Sequence, residues 1–464
     1  MHHRCLDCGA TTIRWAGRCP TCGEWNTLVE EDILDPLVKA VDALDLRAEA
    51  IQLASVDVSE AAAVATGVGE FDRVLSGGLV PGSVTLLGGE PGIGKSTLLL
   101  QVLAARAAKG HNVLLVSAEE SAHQVRLRAE RLGPIPDGLM ILGTTEVQAV
   151  LAVVEDTRPD LVVVDSIQAV SAGPTGPGER RTSGVPGSVT QVRESADLLV
   201  GMAKSRQVAT VLVGHVTKDG GLAGPRALEH MVDTVLSFEG DRHHSLRLLL
   251  AVKHRFGPTG ELGLFEMGDQ GLNAVADPGR LLLGDRLTGV PGGVIMPAMQ
   301  GRRTLLVELQ ALVAPMALSQ PKRSVVGLDA NRLVMSLAVL DRHARMPLGN
   351  SDVFASVVGG IRVTEPAADL AVIMAVVSAN LGHPLPPDLA ALGEVGLAGE
   401  LRQVTGMPRR LEECARLGIG QVVVPRSTPP GPDEVQLLRA ESVPEALALC
   451  FPADTPWNGS RPSA

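Results

Sequence analysis

The sequence predicts an α/β protein built round a parallel β-sheet with helices on both of its faces. Between residues 66 and 277, short runs of Val and Leu alternate with longer amphipathic stretches, and this alternation is typical of βαβ units. A glycine-rich loop of the phosphate-binding kind stands between the first run and the first stretch, which is where such a loop occurs in that fold. We therefore expect a nucleotide-binding α/β domain in the middle of the chain.

The individual elements follow from the period of the apolar residues. Buried strands are predicted at residues 84–87, 113–117, 161–164 and 208–214, and helices between them at residues 96–108, 121–132, 146–155 and 190–205. Later runs without a helical stretch between them are expected to extend the sheet with antiparallel strands, at residues 232–238, 246–252 and 263–267.

At 464 residues the chain exceeds what one hydrophobic core usually organises. Its patterning predicts a C4 zinc finger, a linker, the ATPase domain, a second α/β domain and a tail, at residues 1–30, 31–65, 66–277, 285–455 and 456–464. A turn zone rich in Gly and Pro separates the two α/β domains.

Composition limits the possible functions. The net charge is -11, so any nucleic-acid site must be a local cluster of Lys and Arg. Aromatic residues make up 2% of the chain, with no Tyr, which argues against base-stacking platforms of the RRM or single-strand-binding type. The longest apolar stretch, at residues 370–381, is shorter than the roughly 20 residues that span a bilayer. The first residues lack the apolar segment of a secretory signal, so we expect a cytoplasmic protein without a membrane segment.

The phosphate loop is the most specific motif. It matches the Walker A pattern, in which backbone N–H groups surround the phosphates of ATP. Lys95 is expected to reach the β- and γ-phosphates, and Ser96 is expected to ligate Mg²⁺. The predicted nucleotide-binding residues of this loop are Gly89, Glu90, Pro91, Gly92, Ile93, Gly94, Lys95, Ser96 and Thr97.

Three polar residues at the ends of predicted strands complete the expected ATPase site. Asp165 ends an apolar run in the Walker B manner and is expected to help hold Mg²⁺. Glu119 is predicted to be the general base that polarises the attacking water, with helix capping by Glu119 or Glu120 as the alternative. His215 is expected to sense loss of the γ-phosphate, and an ordinary loop histidine is the alternative there.

Four of the six cysteines form two C-x2-C pairs near the N-terminus, and a glycine follows each pair. This pattern is typical of a zinc knuckle, so Cys5, Cys8, Cys19 and Cys22 are predicted to bind one Zn²⁺. Without the metal, such a short segment would lack a core to fold it.

Two tryptophans, Trp15 and Trp25, are expected to cover the apolar side of this zinc module. Its three arginines, Arg4, Arg14 and Arg18, leave two roles open. They fit a DNA contact, but a structural or protein-docking role of the module is favoured.

The order of three motifs along the chain resembles the bacterial RadA (Sms) DNA-repair family. These motifs are the cysteine knuckle followed by Trp-Asn-Thr-Leu at residues 25–28, the phosphate loop, and Lys-His-Arg-Phe-Gly at residues 253–257. Members of that family carry Asn at the second position of the last motif, where this chain has His254. Lys253 and Arg255 are retained, and the similarity covers nearly the whole chain.

The resemblance implies a RecA-like P-loop ATPase core that assembles into a hexameric ring and uses ATP, Mg²⁺ and Zn²⁺. Such a ring loads on single-stranded and branched DNA, drives branch migration and assists strand exchange by the RecA recombinase. In a ring, Lys253 and Arg255 can act on the γ-phosphate of a neighbouring subunit as an arginine finger does. Pairing with acidic neighbours and contact with DNA are the alternatives. The candidate pore residues are Arg180, Arg181 and Lys218.

The C-terminal domain resembles the proteolytic domain of Lon, whose catalysis requires a Ser and a Lys. At the corresponding positions this chain carries Ala367 and Pro408. Ala offers no nucleophile and Pro no base, so we expect an inactive Lon-protease-like α/β domain that serves oligomerisation or DNA guidance. The domain also carries basic residues that fit either a DNA-facing or an ordinary solvated surface, namely Arg302, Arg303, Lys322 and Arg323.

Two other functions share part of these motifs. A KaiC-like regulatory ATPase would have the phosphate loop, but it gives no reason for the cysteine knuckle or the Lys-x-Arg-Phe-Gly motif. An active Lon-type protease is opposed by the missing Ser and Lys. The sequence therefore predicts a DNA-dependent ATPase of recombination and repair.

Overall fold

The computed structural model describes residues 2–5, 11–12, 15–25, 27–31, 52–55, 62–173, 188–215, 226–240, 245–316 and 320–452. The chain divides into two compact units, Met1–Glu60 and Ala61–Ala464. Among the helices in the described ranges, none combines the length and the apolar character that crossing a membrane requires.

The first unit contains a small antiparallel sheet in the order β2-β1-β3. Its strands are β1 His2–Cys5, β2 Thr11–Thr12 and β3 Leu28–Glu31, and a 3₁₀ helix follows at Leu53–Ser55. In the described part of this unit, the buried hydrophobic residues are Cys5, Cys19 and Leu28. A core of that size is too small to hold a fold by itself, so bound metal must contribute to its stability.

The second unit begins with a nine-stranded sheet in the order β12-β11-β10-β9-β4-β8-β7-β5-β6. The six strands from β9 to β6 in that order are parallel, whereas β10, β11 and β12 pair in the antiparallel sense. The strands are β4 Val84–Gly89, β5 Val113–Ser117, β6 Leu139–Gly143, β7 Leu161–Asp165, β8 Ala209–His215, β9 Thr234–Glu239, β10 Leu246–His254, β11 Leu262–Gly268 and β12 Gly271–Ala274.

Helices cover both faces of this sheet, which confirms the predicted fold. Neighbouring residues Leu114 and Leu115 of β5 lie in separate hydrophobic clusters, one on each face. The helices are α1 Gly69–Val74, α2 Lys95–Ala107, α3 Ala122–Leu132, α4 Val147–Thr157, α5 Val189–Arg206 and α6 Arg226–Glu229, with a 3₁₀ turn at Ile167–Ala169.

The predicted antiparallel extension is wrong for its first strand. The run at residues 232–238 forms β9, which is parallel to β4. β9 runs in the same direction as β8, so the chain must cross over between these two strands, and the short helix α6 lies in that connection. The antiparallel part begins one strand later, at β10.

A seven-stranded sheet in the order β15-β16-β14-β13-β17-β20-β21 follows, with a separate β18-β19 hairpin. The strands are β13 Gly293–Gln300, β14 Arg303–Pro315, β15 Arg323–Val326, β16 Ser351–Val357, β17 Leu389–Ala391, β18 Glu394–Val395, β19 Leu401–Arg402, β20 Gln421–Pro425 and β21 Gln436–Ala440. The helices are α7 Pro278–Leu283, α8 Ala330–His343, α9 Ala368–Leu381, α10 Met407–Arg416 and α11 Val443–Cys450.

The two sheets share one hydrophobic core. Leu262 and Leu264 of β11 belong to the same buried cluster as residues of β13, β14 and α9. Arg303, at the start of β14, donates a hydrogen bond of 2.7 Å from Nη1 to Oε2 of the buried Glu70 in α1. Removal of the second sheet would therefore expose apolar surface of the first.

The basic residues of the second sheet do not form one cluster. Arg303 begins β14 and forms an ion pair with Glu70. Arg323 begins β15 and donates from Nη2 to the Leu348 carbonyl at 2.7 Å. It stands opposite Val353 of β16, and Val353 stands opposite Val313 near the other end of β14. Residues 303 and 313 are about 33 Å apart along a strand. These arginines therefore serve packing at two distant places, which favours the ordinary reading over a DNA-facing set.

Candidate functional site

The phosphate loop connects β4 to α2, and two of its glycines are required by their surroundings. Gly94 is the N-cap of α2 with φ 116°, and a Cβ there would lie 2.7 Å from Cε of Met267. A Cβ on Gly89 would lie 2.5 Å from the carbonyl oxygen of Phe238. The loop therefore fits tightly against the sheet and leaves the first N–H groups of α2 available to an anion.

A buried arginine that the sequence did not single out holds this loop from behind. Arg247 of β10 is 6% exposed, and its Nε donates to the carbonyl of Ile93 at 3.1 Å. No motif signals this contact, because the two residues are 154 positions apart. The Ile93 side chain is buried in the core, so it anchors the loop and does not line the cavity.

Lys95 lies at the start of α2 and is almost fully buried. Its Nζ donates to the carbonyls of Gly89 at 2.8 Å and Glu90 at 2.9 Å. Burial lowers the pKa of the ammonium, and the nearby carboxylates of Asp165 and Glu119 offset this only in part. A buried cation held by carbonyls gains stability from an anionic ligand, so the arrangement fits a phosphate.

Asp165 ends β7 and hydrogen-bonds with the side chain of Ser96. Burial raises the pKa of the carboxyl, and the negative charges of Glu119 and Glu120 raise it further. A carboxylate and a hydroxyl side by side are oxygen ligands of the kind that Mg²⁺ takes. A bound divalent cation would also relieve the excess negative charge, so these residues fit Mg²⁺.

Glu119 faces two polar side chains across the ends of the strands. The Ser166 hydroxyl donates a short hydrogen bond to its Oε1, and Nε2 of His215 lies 3.3 Å from the same atom. Glu120 instead pairs with Arg128, whose Nη2 is 2.6 Å from its Oε1. Of the two glutamates, Glu119 therefore has the carboxylate that is not neutralised by an arginine.

Neither glutamate caps α3. The N-cap is Ser121, whose side chain accepts from the N–H of Gln124 while the Gln124 side chain accepts from the Ser121 N–H at 2.9 Å. This reciprocal capping box satisfies the helix start, so the capping role that was the alternative for Glu119 and Glu120 belongs to Ser121.

Most of the residues predicted for the phosphate loop and the strand ends line one cavity of about 400 Å³. Gly89 and Glu90 lie behind it and act through their carbonyls on Lys95. The predicted residues on its wall are Pro91, Gly92, Gly94, Lys95, Ser96, Thr97, Glu119, Asp165 and His215. A cavity of about 430 Å³ at the other end of the sheet contains none of them, so size alone would not have identified the site.

Lys253 and Arg255 lie at the end of the sheet away from this cavity. Lys253 is inside β10, where its Nζ donates to the carbonyls of Glu229 at 2.5 Å and Val232 at 2.7 Å. The strand predicted at residues 246–252 continues to His254, so the expectation that Lys253 follows this strand is wrong. Lys253 belongs to the strand, and two strands, β11 and β12, lie beyond β10.

The position of Arg255 is fixed through the beginning of β4. Its Nη1 is 2.9 Å from Oδ1 of Asp233, and Oδ2 of Asp233 accepts from the N–H of Val84 at 3.0 Å. Val84 begins β4 and Gly89 ends it at the phosphate loop, and this strand spans about 17 Å. Arg255 therefore does not reach the nucleotide cavity of its own chain.

The cysteine module has the geometry of a zinc site. The Sγ atoms of Cys5, Cys19 and Cys22 lie within 4.8 Å of one another, and Cys5 and Cys22 are 3.6 Å apart. Zinc–sulfur bonds of about 2.3 Å in a tetrahedron separate the sulfurs by about 3.8 Å. Hydrogen bonds from the backbone at Cys22 and Thr21 lower the pKa of the Cys19 thiol. Cys8, the fourth predicted ligand, lies outside the described residues.

The tryptophans of the module do not cover its apolar side, so that prediction is wrong. Trp15 is 60% exposed and Trp25 is 67% exposed. The small core is closed by Leu28 together with Cys5 and Cys19.

The two positions that correspond to the Lon catalytic dyad lie close in sequence to an ion pair between Arg410 and Glu365. Ala367 is buried before α9, and Pro408 lies in the first turn of α10. Arg410 is fully buried and donates to Oε1 of Glu365 at 3.0 Å and to the carbonyl of Pro297 at 2.6 Å. A buried guanidinium paired with a half-buried carboxylate therefore lies within two residues of each of these positions along the chain.

Several predicted DNA-contacting residues cannot be placed. Arg180, Arg181 and Lys218 lie outside the described residues, as do Arg14 and the side chain of Arg4.

Comparison with sequence families gives three matches along the chain. Residues 3–30 match the rubredoxin metal binding domain, residues 47–221 match the AAA domain, and residues 347–443 match the Lon protease (S16) C-terminal proteolytic domain. The chain thus combines a zinc-binding module, a P-loop ATPase core that uses ATP and Mg²⁺, and a Lon-like domain.

Three relatives align with almost the whole length of the chain. The DNA repair protein RadA of Brucella abortus is 46% identical over 433 residues, which cover 91% of each chain. RadA of Bacillus subtilis is 42% identical over 450 residues, or 96% of this chain and 97% of the relative. RadA of Mycobacterium tuberculosis is 45% identical over 452 residues, or 96% of this chain and 92% of the relative.

Proposed function

The chain belongs to the RadA family of DNA repair proteins and has an ATPase domain, and on this basis we propose that it is a DNA-dependent ATPase that drives branch migration during recombination. The observation that carries the proposal is the convergence of Lys95, Glu119, Asp165 and His215 on one cavity beside the phosphate loop. Each comes from the end of a different parallel strand or from the helix that follows it, which is where α/β folds bind nucleotides.

We assign the roles in hydrolysis from the contacts of these side chains. Lys95 neutralises charge on the phosphates, and Ser96 and Asp165 hold Mg²⁺, which supplies further charge neutralisation when bound. Glu119 accepts the proton of the attacking water, and the Ser166 hydroxyl orients its carboxylate.

His215 connects the two ends of this site. Its Nε2 lies 3.3 Å from Glu119 and its Nδ1 lies 3.5 Å from Nζ of Lys95. A movement of Lys95 toward or away from a γ-phosphate therefore changes its contact with His215. Because His215 also contacts Glu119, the position of the general base changes as well. This supports the sensor role proposed for His215.

We propose that Lys253 and Arg255 act across a subunit interface of a hexameric ring. Their distance from the cavity of their own chain leaves two uses for the motif, a neighbour's nucleotide or DNA. The Arg255 side chain is 51% exposed, so its guanidinium can meet a further anion while it stays paired with the buried Asp233.

The ring also explains how a chain with a net charge of -11 acts on DNA. Basic loops can line the pore, where single-stranded and branched DNA would pass, while the acidic surface faces solvent. The proposed partner in strand exchange is the RecA recombinase, and the proposed place of action is the cytoplasm.

The proposal is tested by measuring ATP hydrolysis with and without single-stranded DNA. We expect DNA to raise the rate several-fold at saturating ATP, because the bound strand organises the subunit interfaces. A KaiC-like regulatory ATPase is the second candidate. An unchanged rate together with autophosphorylation in the absence of DNA would favour it.

The Lon-like domain is proposed to be inactive as a peptidase and to support ring assembly. The intact chain and an Ala367→Ser variant are both expected to leave an unfolded protein substrate uncut, because Pro408 supplies no base. The intact chain is the right material, since the domain shares its core with the ATPase sheet. Cleavage that appears only in the Ala367→Ser preparation would contradict this, because it would show that a working base is present.

A further inference from the structure

The zinc module presents two indole rings side by side on its surface. A Cβ placed on Gly17 would lie 3.8 Å from the Trp25 ring and 3.9 Å from the Trp15 ring, so both rings flank one residue that has no side chain. They are 67% and 60% exposed. The chain has three tryptophans in all, and two of them lie exposed in this module.

A cation stacks against one ring of this aromatic pair. The guanidinium carbon of Arg18 lies 5.8 Å from the centroid of the Trp25 ring. The Nε of Arg18 donates to the carbonyl of Gly23 at 2.5 Å, which fixes the side chain without neutralising its charge. A cation over an indole face is favourable in itself, and Arg18 is an exposed residue.

The Cys19–Cys22 turn sets the positions of Arg18 and Trp25. Arg18 and Trp25 pair as an antiparallel bridge, and the Cys19–Cys22 turn closes between them through the bond from Gly23 N–H to the Cys19 carbonyl at 2.9 Å. Zinc binding to that turn therefore holds Arg18 and Trp25 in place.

We propose that Trp15, Trp25 and Arg18 form a binding surface for single-stranded DNA, with bases stacked on the indoles and Arg18 facing a phosphate. Exposed aromatic rings interleaved with a cation are the elements of such surfaces, and stacking accepts any base because every base has a π-face. The inference rests on the proposed function, since it assigns the zinc module a share in holding the DNA strand.

The surroundings of the tryptophans favour nucleic acid over a protein partner. The centre of a protein–protein interface is usually more apolar than the rest of the protein surface. In the described part of the module, Cys5, Cys19 and Leu28 are inside. The exposed neighbours of the tryptophans are small or polar and offer no larger apolar surface, namely Ala16, Pro20, Thr21 and Glu24. The low aromatic content of the whole chain argued against stacking, but it averages over a local concentration of tryptophan in this module.

Indole fluorescence tests the proposal in the full-length zinc-loaded protein. In a Trp457→Phe background, the signal comes from Trp15 and Trp25, because the chain has three tryptophans and no tyrosine. Titration with oligo(dT) is expected to quench it saturably. Replacing both tryptophans by Ala should weaken oligo(dT) binding, measured with a labelled strand, by about fivefold to a hundredfold, whereas replacing both by Phe should retain most of it. Zinc content checks that each variant is folded.

DNA-stimulated ATP hydrolysis, measured on the same proteins, distinguishes failure of the proposed DNA-binding surface from failure of the proposed function. Stimulation without quenching, and with equal oligo(dT) affinity in the Ala and parent proteins, would overturn this inference and leave the proposed function standing. No stimulation and no DNA binding would remove both. Quenching by RecA recombinase but not by oligo(dT) would assign the surface to a protein partner and overturn the DNA assignment.

Discussion

Replacement of Glu119 by Gln is expected to lower the rate of ATP hydrolysis at least about 100-fold, because a positioned general base contributes about 10²- to 10⁴-fold. Gln keeps the shape of the side chain and can still accept from the Ser166 hydroxyl, but it cannot take a proton from water. ATP affinity should stay close to that of the parent, since Lys95 and the phosphate loop are untouched. Phosphate release at saturating ATP and single-stranded DNA measures the rate, and equilibrium nucleotide binding measures the affinity.

Glu120→Gln is the matched control for this experiment. It makes the same chemical change one residue later, at a carboxylate that is paired with Arg128, and it should change the rate only a few-fold. Lys95→Ala should abolish turnover and weaken ATP binding, because the buried cation that meets the phosphates is lost. Hydrolysis at the parental rate by the Glu119→Gln protein would refute the assignment and direct attention to Glu120.

The sequence predicted those parts of the site that lie within a few residues of a motif. The phosphate loop places Lys95 and Ser96 by itself, and an apolar run places Asp165 at a strand end. Ser166 follows Asp165 directly and still escaped notice. Its contact with Glu119 depends on the pairing of β5 with β7, where Ser117 stands opposite Asp165.

Contacts between distant parts of the chain were beyond sequence reasoning. Arg247 supports the phosphate loop from 154 residues away, and nothing in its local sequence distinguishes it. Lys253 was expected after its strand because a charge interrupts the apolar run. It lies inside β10 because two carbonyls satisfy its ammonium group, and the strand has an irregularity between Ala251 and Lys253.

Replacement of Arg255 is expected to have a large effect on DNA-coupled ATP hydrolysis. Arg255→Ala should keep zinc, fold and ATP binding but lower DNA-coupled hydrolysis by about 1,000-fold or more, the lower end of what arginine fingers supply. DNA-coupled translocation should be lost with it, and Lys253→Ala should share the phenotype. A purely structural role for the bond to Asp233 would instead appear as a lowered unfolding temperature with ATP hydrolysis retained below it.

Mixed rings decide whether Arg255 acts on its own subunit or on a neighbour. A Lys95→Ala chain has no working phosphate loop, and an Arg255→Ala chain has no finger, so each alone should be inactive. In rings made from equal amounts, about one interface in four joins an intact loop to an intact finger if subunits mix at random. Part of the hydrolysis should therefore return.

The control replaces the Lys95→Ala partner by a chain with both substitutions. No interface in such rings has an intact finger facing an intact loop, so no recovery is expected there. Recovery with the single variant alone establishes action in trans, because Arg255 lies at the opposite end of β4 from its own phosphate loop. If rings shown to contain both single variants stay inactive, the motif does not serve a neighbour's nucleotide. The 51% exposed Arg255 side chain would then be assigned to DNA, and its loss should weaken single-stranded DNA binding with a lower salt dependence.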